Sequence, residues 1–395
     1  MSVQQCFAGV SRRLRLGMVG GGEGAFIGAV HRLAARLDDR WELVAGAFSR
    51  DADRGRRSAA ALHVAPDRAY ADAELMARAE AARDDGIDAV AIVTPNASHH
   101  AIARAFLDAG IHVICDKPMT TTMDHAHNLV RAVAASGRIF ALTHNYTGYP
   151  MVRQARAMVA DGAIGAVRVV QVEYPQDWLT TPIEETGQKQ AAWRLDPAQA
   201  GPAGSLGDLG THAHNIAEFV TGLAVESVAA QLTAFVPGRR VDDDAQVLLR
   251  FGGGARGMLW ASQIVPGNAN ALRLRVYGET GGLDWAQEQP NELRFTRLGE
   301  APRILARGAG GLSPAAAHAT RIPVGHPEGY IEAFAQLYRD IADQITARIN
   351  GSAPDPATLL VPGVTDGARG VAFVTAAVAS SGADGAWTQL PPVLG

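Results

Sequence analysis

In the first 145 positions the apolar residues fall in short continuous runs, separated by longer amphipathic stretches. Leu14–Val19, Trp41–Phe48, Ala89–Val93, Ile111–Cys115 and Ile139–Thr143 read as strands. Unbroken runs such as Ala89–Val93 are what parallel strands buried on both faces require. Between them Ala29–Leu37, Asp51–Leu62, Ala73–Arg83, His99–Ala109 and Asp124–Ala135 read as helices, two of them stopped by Gly110 and Gly137. Strand and helix in alternation predict an α/β fold with a doubly wound parallel sheet, the Rossmann type.

The pattern changes near residue 146. After a helix at Met151–Ala160 come longer strands: Val167–Tyr174, Val225–Phe235, Ala245–Phe251, Ala255–Gln263, Leu272–Gly278 and Gly282–Gln287. Arg273-Leu274-Arg275-Val276-Tyr277 alternates polar and apolar, as a sheet with one wet face does. Tyr330–Ile349 and Gly363–Ser380 read as closing helices. The chain therefore divides into an extension over 1–13, a dinucleotide-binding domain over 14–145 and an α+β substrate-binding and oligomerisation domain over 146–395. The second domain is expected to hold a large, mostly antiparallel open sheet. Its open face needs a cover, and a second subunit is the expected one.

Composition narrows the function. The chain has 395 residues, enough for two domains, and 47% hydrophobic content, enough for sizeable cores. Its net charge of -4 and lack of a basic tract argue against nucleic acid or an anionic membrane surface as partner. No apolar run reaches the ~18 residues of a membrane span. The start has no signal-peptide core, and Cys6 and Cys115 are unsuited to a disulfide, so a cytoplasmic location is expected.

Gly20-Gly21-Gly22-Glu23-Gly24-Ala25-Phe26-Ile27-Gly28 lies between the first strand and the first helix. Glycines let a backbone approach a pyrophosphate, and a helix N-terminus offers free N–H groups. Gly20, Gly22 and Gly28 are the expected phosphate contacts. The second strand ends in Phe48-Ser49-Arg50, without the carboxylate that reads a ribose 2′-hydroxyl. Ser49 cannot accept two hydrogen bonds as a carboxylate does, and Arg50 and Arg54 could pair with a 2′-phosphate, a slight lean towards NADP over NAD, although both arginines solvated at a helix start and facing Asp51 and Asp53 would look the same. Thr94-Pro95-Asn96 follows the central strand at the sheet's carboxyl edge, where its polar groups are placed for a nicotinamide ribose or for ordinary turn chemistry.

Two motifs carry the chemistry. Cys115-Asp116-Lys117-Pro118 puts a lysine at a strand's carboxyl end, where an ammonium can stabilise charge developing on a substrate oxygen. Asp116 is placed to hold that lysine or a cofactor ribose. Gly207-Asp208-Leu209-Gly210-Thr211-His212 opens a helix, and a spacing of four puts Asp208 and His212 on one helical face. A carboxylate there would orient the imidazole and favour its protonated form. His212 would then take a hydroxyl proton, with Asn215 positioning the substrate. A capping carboxylate and a structural histidine are the alternative. His144, Tyr146, Trp193 and Arg194 are candidate substrate contacts. No metal is expected: His212 and His214 diverge on a helix, and no paired-cysteine or HExxH spacing accompanies them.

Taken together, the glycine-rich start, Thr94-Pro95-Asn96 with His99, Asp116-Lys117-Pro118 and Gly207-Asp208-x-Gly-x-His212-x-x-Asn215 resemble the glucose–fructose oxidoreductase/inositol dehydrogenase/MocA (Gfo/Idh/MocA) family, from about Leu14 to Ile349. The resemblance implies an NAD(P)-dependent oxidoreductase acting on a sugar, cyclitol or related polyol. It implies Lys117 as catalytic lysine, His212 as base, Asp208 as its partner, and Thr94, Asn96, His99, Asp116 and Lys117 beside the cofactor. It further implies a homodimer or homotetramer built through the C-terminal sheet. Asp116 departs from the family's usual glutamate, and the Gly22–Gly28 loop is lengthened. Asp177–Pro202 looks like a substrate-covering insertion. Two other uses of the fold stay open: a redox-cycling lyase, epimerase or glycosidase with tightly held NAD, and a non-enzymatic cofactor-sensing regulator.

Overall fold

A computed structural model describes residues 12–393. The first part of the chain runs β1 (Leu14–Gly20), α1 (Phe26–Leu37), β2 (Trp41–Ala47), α2 (Ala52–Ala61), α3 (Ala73–Ala81), β3 (Ala89–Val93), α4 (His99–Asp108), β4 (His112–Cys115), α5 (Met123–Ser136) and β5 (Phe140–Leu142). The strands form one parallel sheet in the order β2-β1-β3-β4-β5. Every residue of β3 is buried, because helices cover both faces of the sheet's centre. Strand order reverses between β1 and β3, and the crevice outside their carboxyl ends is where such sheets bind ligands.

The second part runs α6 (Pro150–Ala160), β6 (Val167–Pro175), α7 (Lys189–Arg194), α8 (Pro197–Ala200), α9 (Thr211–Thr221), β7 (Val225–Thr233), β8 (Asp244–Phe251), β9 (Arg256–Ser262), β10 (Arg273–Gly278), β11 (Gly281–Ala286), β12 (Glu292–Arg297), β13 (Arg303–Ala306), α10 (Pro314–Ala319), α11 (Tyr330–Ile349), α12 (Val364–Gly382) and β14 (Thr388–Gln389). Nine strands make one sheet in the order β13-β12-β11-β10-β6-β9-β8-β7-β14. All neighbours are antiparallel except β6 and β9. Sequence patterning missed β12, β13 and β14; the last is a two-residue edge pairing with β7 that no period can signal.

One face of this sheet is packed under α6, α9 and α12, with Val170, Val172, Val247, Leu249, Leu259 and Leu274 inside. The opposite face is open. Leu248 and Met258 pair across it, as do Val169 and Tyr277, and all four are more than a third exposed. A shallow concavity of about 660 Å³ lies there, lined in part by Gln171, Gln231, Gln246, Trp260 and Arg275.

The chain's end returns to the first sheet. Phe334, Leu337, Ile341 and Ile345 on α11 are buried with Leu14, Leu16 and Val30, and each such side chain contributes about 1.5–3 kcal/mol of transfer free energy. Tyr338 Oη lies 2.8 Å from His31 Nδ1, and Trp41 Nε1 donates to the Tyr338 carbonyl at 2.9 Å. Ala368 and Val371 on α12 join Val113, Cys115 and Leu142. The division at residue 146 therefore marks a change of sheet, while the core of the first sheet is completed by residues beyond 330. Cys115 is buried and free; Cys6 and most of the 1–13 extension lie outside the described residues. Among the described residues no helix is long and apolar enough to cross a membrane.

Candidate active site

The glycine turn leaves β1 at the reversal point. Gly20 has φ 81°, a left-handed backbone, and a Cβ there would meet the Val93 carbonyl at 2.8 Å. A Cβ on Gly28 would lie 2.4 Å from Gly21 Cα, so α1 packs directly on the turn's backbone. Gly22 is forced by the Phe48 carbonyl, 2.7 Å from its missing Cβ. The cap residue of α1, Ala25, makes no side-chain capping bond, and the first turn contains no acid. Its free N–H groups and positive dipole end fit a pyrophosphate. Gly20 and Gly28 shape the cradle, whereas Gly22 sits against the end of β2.

At the end of β2, Ser49 Oγ accepts from the Asp51 N–H at 3.1 Å. Asp51 caps α2 by accepting from the Arg54 N–H at 2.7 Å. Arg50 is exposed and makes no ion pair among the described residues, as a solvated arginine at a helix start would.

Residues after β3 mostly brace the site. Thr94 Oγ1 accepts from Ser98 Oγ at 2.7 Å. His99 is fully buried, with Nδ1 and Nε2 each 2.8 Å from a carbonyl oxygen, of Pro118 and Thr94 respectively. It ties the loop after β3 to the loop after β4 and has no nitrogen left for a cofactor. Asn96 Nδ2 donates to the Ala200 carbonyl at 2.9 Å, linking the loop to α8. Both residues thus join loops at the carboxyl edge of the sheet.

Lys117 follows β4 and its peptide bond to Pro118 is cis. Asp116 Oδ1 accepts from the Lys117 N–H and from Thr143 Oγ1, both at 2.9 Å, so it fixes the lysine's backbone and not its ammonium. Lys117 Nζ donates to Asp208 Oδ1 at 2.6 Å and to the Asp208 carbonyl at 2.7 Å. Asp208 Oδ2 accepts from Gln263 Nε2 at 3.0 Å and lies 3.3 Å from Arg194 Nε. Burial opposes ionisation of Asp208, but the Lys117 ammonium and Arg194 guanidinium outweigh it and hold the carboxyl well below its usual range.

The expected Asp208–His212 pair is not formed. Residues Leu206–Gly210 make a single π-helical turn before α9 begins at Thr211. A wider turn takes more residues per revolution, so a spacing of four no longer stacks two side chains. Asp208 is swung onto Lys117, and His212 meets His144 instead, Nδ1 to Nδ1 at 3.3 Å. Tyr146 packs its ring edge-on to His212 at 4.9 Å. Burial, then the Lys117 charge, then His144 push His212 well below the ordinary imidazole range, the reverse of the protonated state expected from a carboxylate neighbour. A neutral imidazole is the form a base needs. Among the described residues His212 Nε2 has no hydrogen-bond partner. Asn215, one turn on, is nearly buried and its amide is likewise unpartnered by protein.

The segment expected to cover the substrate carries α7 and α8 across this edge. Arg194 lies with its guanidinium 4.5 Å from the Trp193 ring centre and 6.0 Å from that of Trp178. Its Nη1 donates to Gln190 Oε1 at 2.6 Å. Buried Arg239 pins the segment through Glu184 at 2.9 Å and the strand-edge Asp243 at 3.1 Å. His214 turns away, stacking on Phe373 at 4.5 Å. Tyr146 Oη bonds Tyr174 Oη, which donates to Asn270 Oδ1 at 2.7 Å. Gln263, Tyr174 and Asn270 carry no sequence signal, because they come from the ends and flanks of strands in the second sheet.

Comparison with known proteins agrees with this architecture. Residues 14–144 match the model of the oxidoreductase family with an NAD-binding Rossmann fold, and residues 152–284 that of the GFO/IDH/MocA C-terminal domain. An uncharacterised oxidoreductase of Bacillus subtilis, YfiI, is 34% identical over 96% of this chain and 98% of its own. An oxidoreductase structure from Sinorhizobium meliloti is 52% identical, with a TM-score of 0.87 over 95% of this chain and 99% of that one. An inositol dehydrogenase homologue from Azotobacter vinelandii, solved with NADH and myo-inositol, is 37% identical, with a TM-score of 0.89 over 96% of this chain and 98% of that one. The chain belongs to the Gfo/Idh/MocA family of NAD-binding oxidoreductases.

Proposed function

We propose that the protein transfers hydride between a nicotinamide dinucleotide and a secondary alcohol or ketone of a sugar, cyclitol or related polyol. The observation that carries this reading is the convergence of Lys117, Asp208 and His212 at the carboxyl edge of the first sheet, beside the glycine turn. Bound at that turn, the cofactor supplies the hydride acceptor or donor. Lys117 Nζ, held by Asp208, hydrogen-bonds the reacting oxygen and stabilises negative charge as it develops. His212 Nε2 takes the hydroxyl proton in oxidation and returns it in reduction. Trp193, Arg194, Tyr146 and Asn215 line the approach, and the 177–202 segment excludes water. The relative that holds myo-inositol supports the polyol class.

For the cofactor, two observations point in different directions. Exposed Arg50 at the end of β2 supports a 2′-phosphate and hence NADP. The relative solved with NADH supports NAD. The exposed apolar stripe of Val169, Leu248, Met258 and Tyr277 supports a second copy of the chain across the open sheet, giving a homodimer or homotetramer.

The test is reduced-cofactor absorbance with purified protein and NAD or NADP, across inositols, monosaccharides, anhydrosugars and glycosides. One responding substrate class establishes the reading and the cofactor together. Silence across the panel, with cofactor that copurifies and does not exchange, selects internal redox cycling instead.

A further inference from the structure

The base in this site has no carboxylate to orient it. Asp208 spends its oxygens on Lys117, Gln263 and Arg194, and none of its hydrogen bonds goes to His212. What faces His212 is another imidazole: the Nδ1 atoms of His144 and His212 are 3.3 Å apart, with the rings at 81°. We propose that His144 is a positioning residue that fixes the tautomer of His212, keeping its proton on Nδ1 and its Nε2 lone pair towards the substrate. This inference rests on the proposed function, because a base acting through Nε2 is what sets the donor at His212 Nδ1.

Two facing ring nitrogens can share one proton. Two N–H groups would collide, and two lone pairs would repel. One ring therefore donates and the other accepts. If His144 accepts at Nδ1, His212 carries Nδ1–H and its Nε2 is bare, ready to take a proton. If the roles reverse, His212 Nε2 is already protonated and cannot act as base.

His144 is almost fully buried and rigidly seated: its backbone N–H donates to the Leu142 carbonyl at 2.9 Å, and its own carbonyl accepts from Thr147 N and Oγ1 at 3.1 and 2.9 Å. Burial and the nearby Lys117 charge push its imidazole down to about 3, so it stays neutral beside the base. The other titratable groups around the pair are Asp208, Tyr146, Tyr174 and His214. When His212 takes the substrate proton on Nε2, its Nδ1–H remains donated to His144, which spreads the new positive charge. No other atom changes its bonding partner in this step, and the hydroxyl oxygen gives up the proton that Nε2 gains.

Proton positions in the resting protein test the tautomer directly, by neutron diffraction or by nitrogen shifts of isotope-labelled histidine. The expected result is hydrogen on Nδ1 of His212 and none on Nδ1 of His144. Hydrogen on Nε2 of His212 in the resting protein overturns the proposal, whether or not any polyol is turned over.

Two variants test the consequence. His144→Leu removes the acceptor with an apolar side chain; His144→Asn keeps an acceptor near the Nδ1 position. His144→Leu is expected to lower kcat by about tenfold or more, a part of the roughly 10²–10⁴-fold that general acid–base catalysis supplies. KM and cofactor affinity should move little. His144→Asn is expected to recover most of the loss. A leucine variant equal to wild type, or an asparagine variant no better than leucine, contradicts the assignment, because packing alone favours leucine.

Discussion

Lys117 and Asp208 stand 91 positions apart and meet as an ion pair of 2.6 Å, with the same ammonium also on the Asp208 carbonyl. The carboxylate serves the lysine, not the histidine. Replacing Asp208 by Asn should therefore act through Lys117. We expect Lys117→Met to lower kcat by about a hundredfold or more, the scale of losing one donor to a developing oxyanion. Asp208→Asn added to Lys117→Met should cost little further. A double-mutant cycle on kcat reads this; full additivity of the two losses contradicts the pairing.

Arg194 connects the covering segment to the same carboxylate. Arg194→Ala removes the cation beside Asp208 Oδ2 and the guanidinium stacked on Trp193. The expected outcome is a substrate KM raised about tenfold, with cofactor affinity retained. Steady-state kinetics with isothermal cofactor titration checks it. An effect on cofactor affinity alone would place Arg194 elsewhere in the reaction.

Gly28 is a steric requirement. Its substitution by Ala puts a Cβ 2.4 Å from Gly21 Cα and 2.9 Å from the Gly21 carbonyl oxygen. Backbone cannot yield as a side-chain tip can. Gly28→Ala is expected to weaken dinucleotide binding by tenfold or so and to lower thermal stability, since overpacking costs about 1–3 kcal/mol. Cofactor titration and a melting curve together decide it.

Acid should destabilise the fold well before its carboxylates titrate. Burial pushes His31 and His112 down to about 4 and His144 to about 3. His112 Nδ1 accepts from the Ile139 N–H at 2.8 Å, a bond that protonation there removes. Folded values lie below the unfolded imidazole value of about 6.5, so the unfolded chain binds protons first. Stability is then full above about 6.5 and falls as pH drops towards 4, by up to about 1.4 kcal/mol per pH unit for each histidine. Asp343 and Asp366, whose carboxyls burial raises, act in the opposite sense just above their ordinary range. Melting temperature measured from pH 7 to pH 4.5 should fall steadily, and His112→Asn should flatten the slope. A level profile would contradict the buried neutral histidines.

Much of the first sheet was legible because buried parallel strands and capped helices leave strong local signals. Ala89–Val93 and Tyr330–Ile349 occur as expected, to the residue. Lys117 and His212 stood out as candidates because proline restricts one and a helix start places the other. Their pairing did not. The rule of four assumes a regular helix, and the π-helical turn at Leu206–Gly210 breaks it; the glycines at 207 and 210 were the only local hint. His144 was visible only as one candidate contact, because its role depends on a neighbour 68 positions away. Asn96 and His99 stood in the right motif, yet their hydrogen bonds to Ala200, Thr94 and Pro118 are tertiary, and no local pattern encodes them.

The proposal assigns hydride chemistry on a polyol to Lys117 and His212. Its most direct test is initial-rate formation of reduced cofactor by wild type, Lys117→Met and His212→Ala, on the best substrate of the panel, with cofactor binding measured in parallel. Wild type should turn over, and both variants should lose nearly all turnover while keeping cofactor affinity. Undiminished turnover in either variant would contradict the proposal.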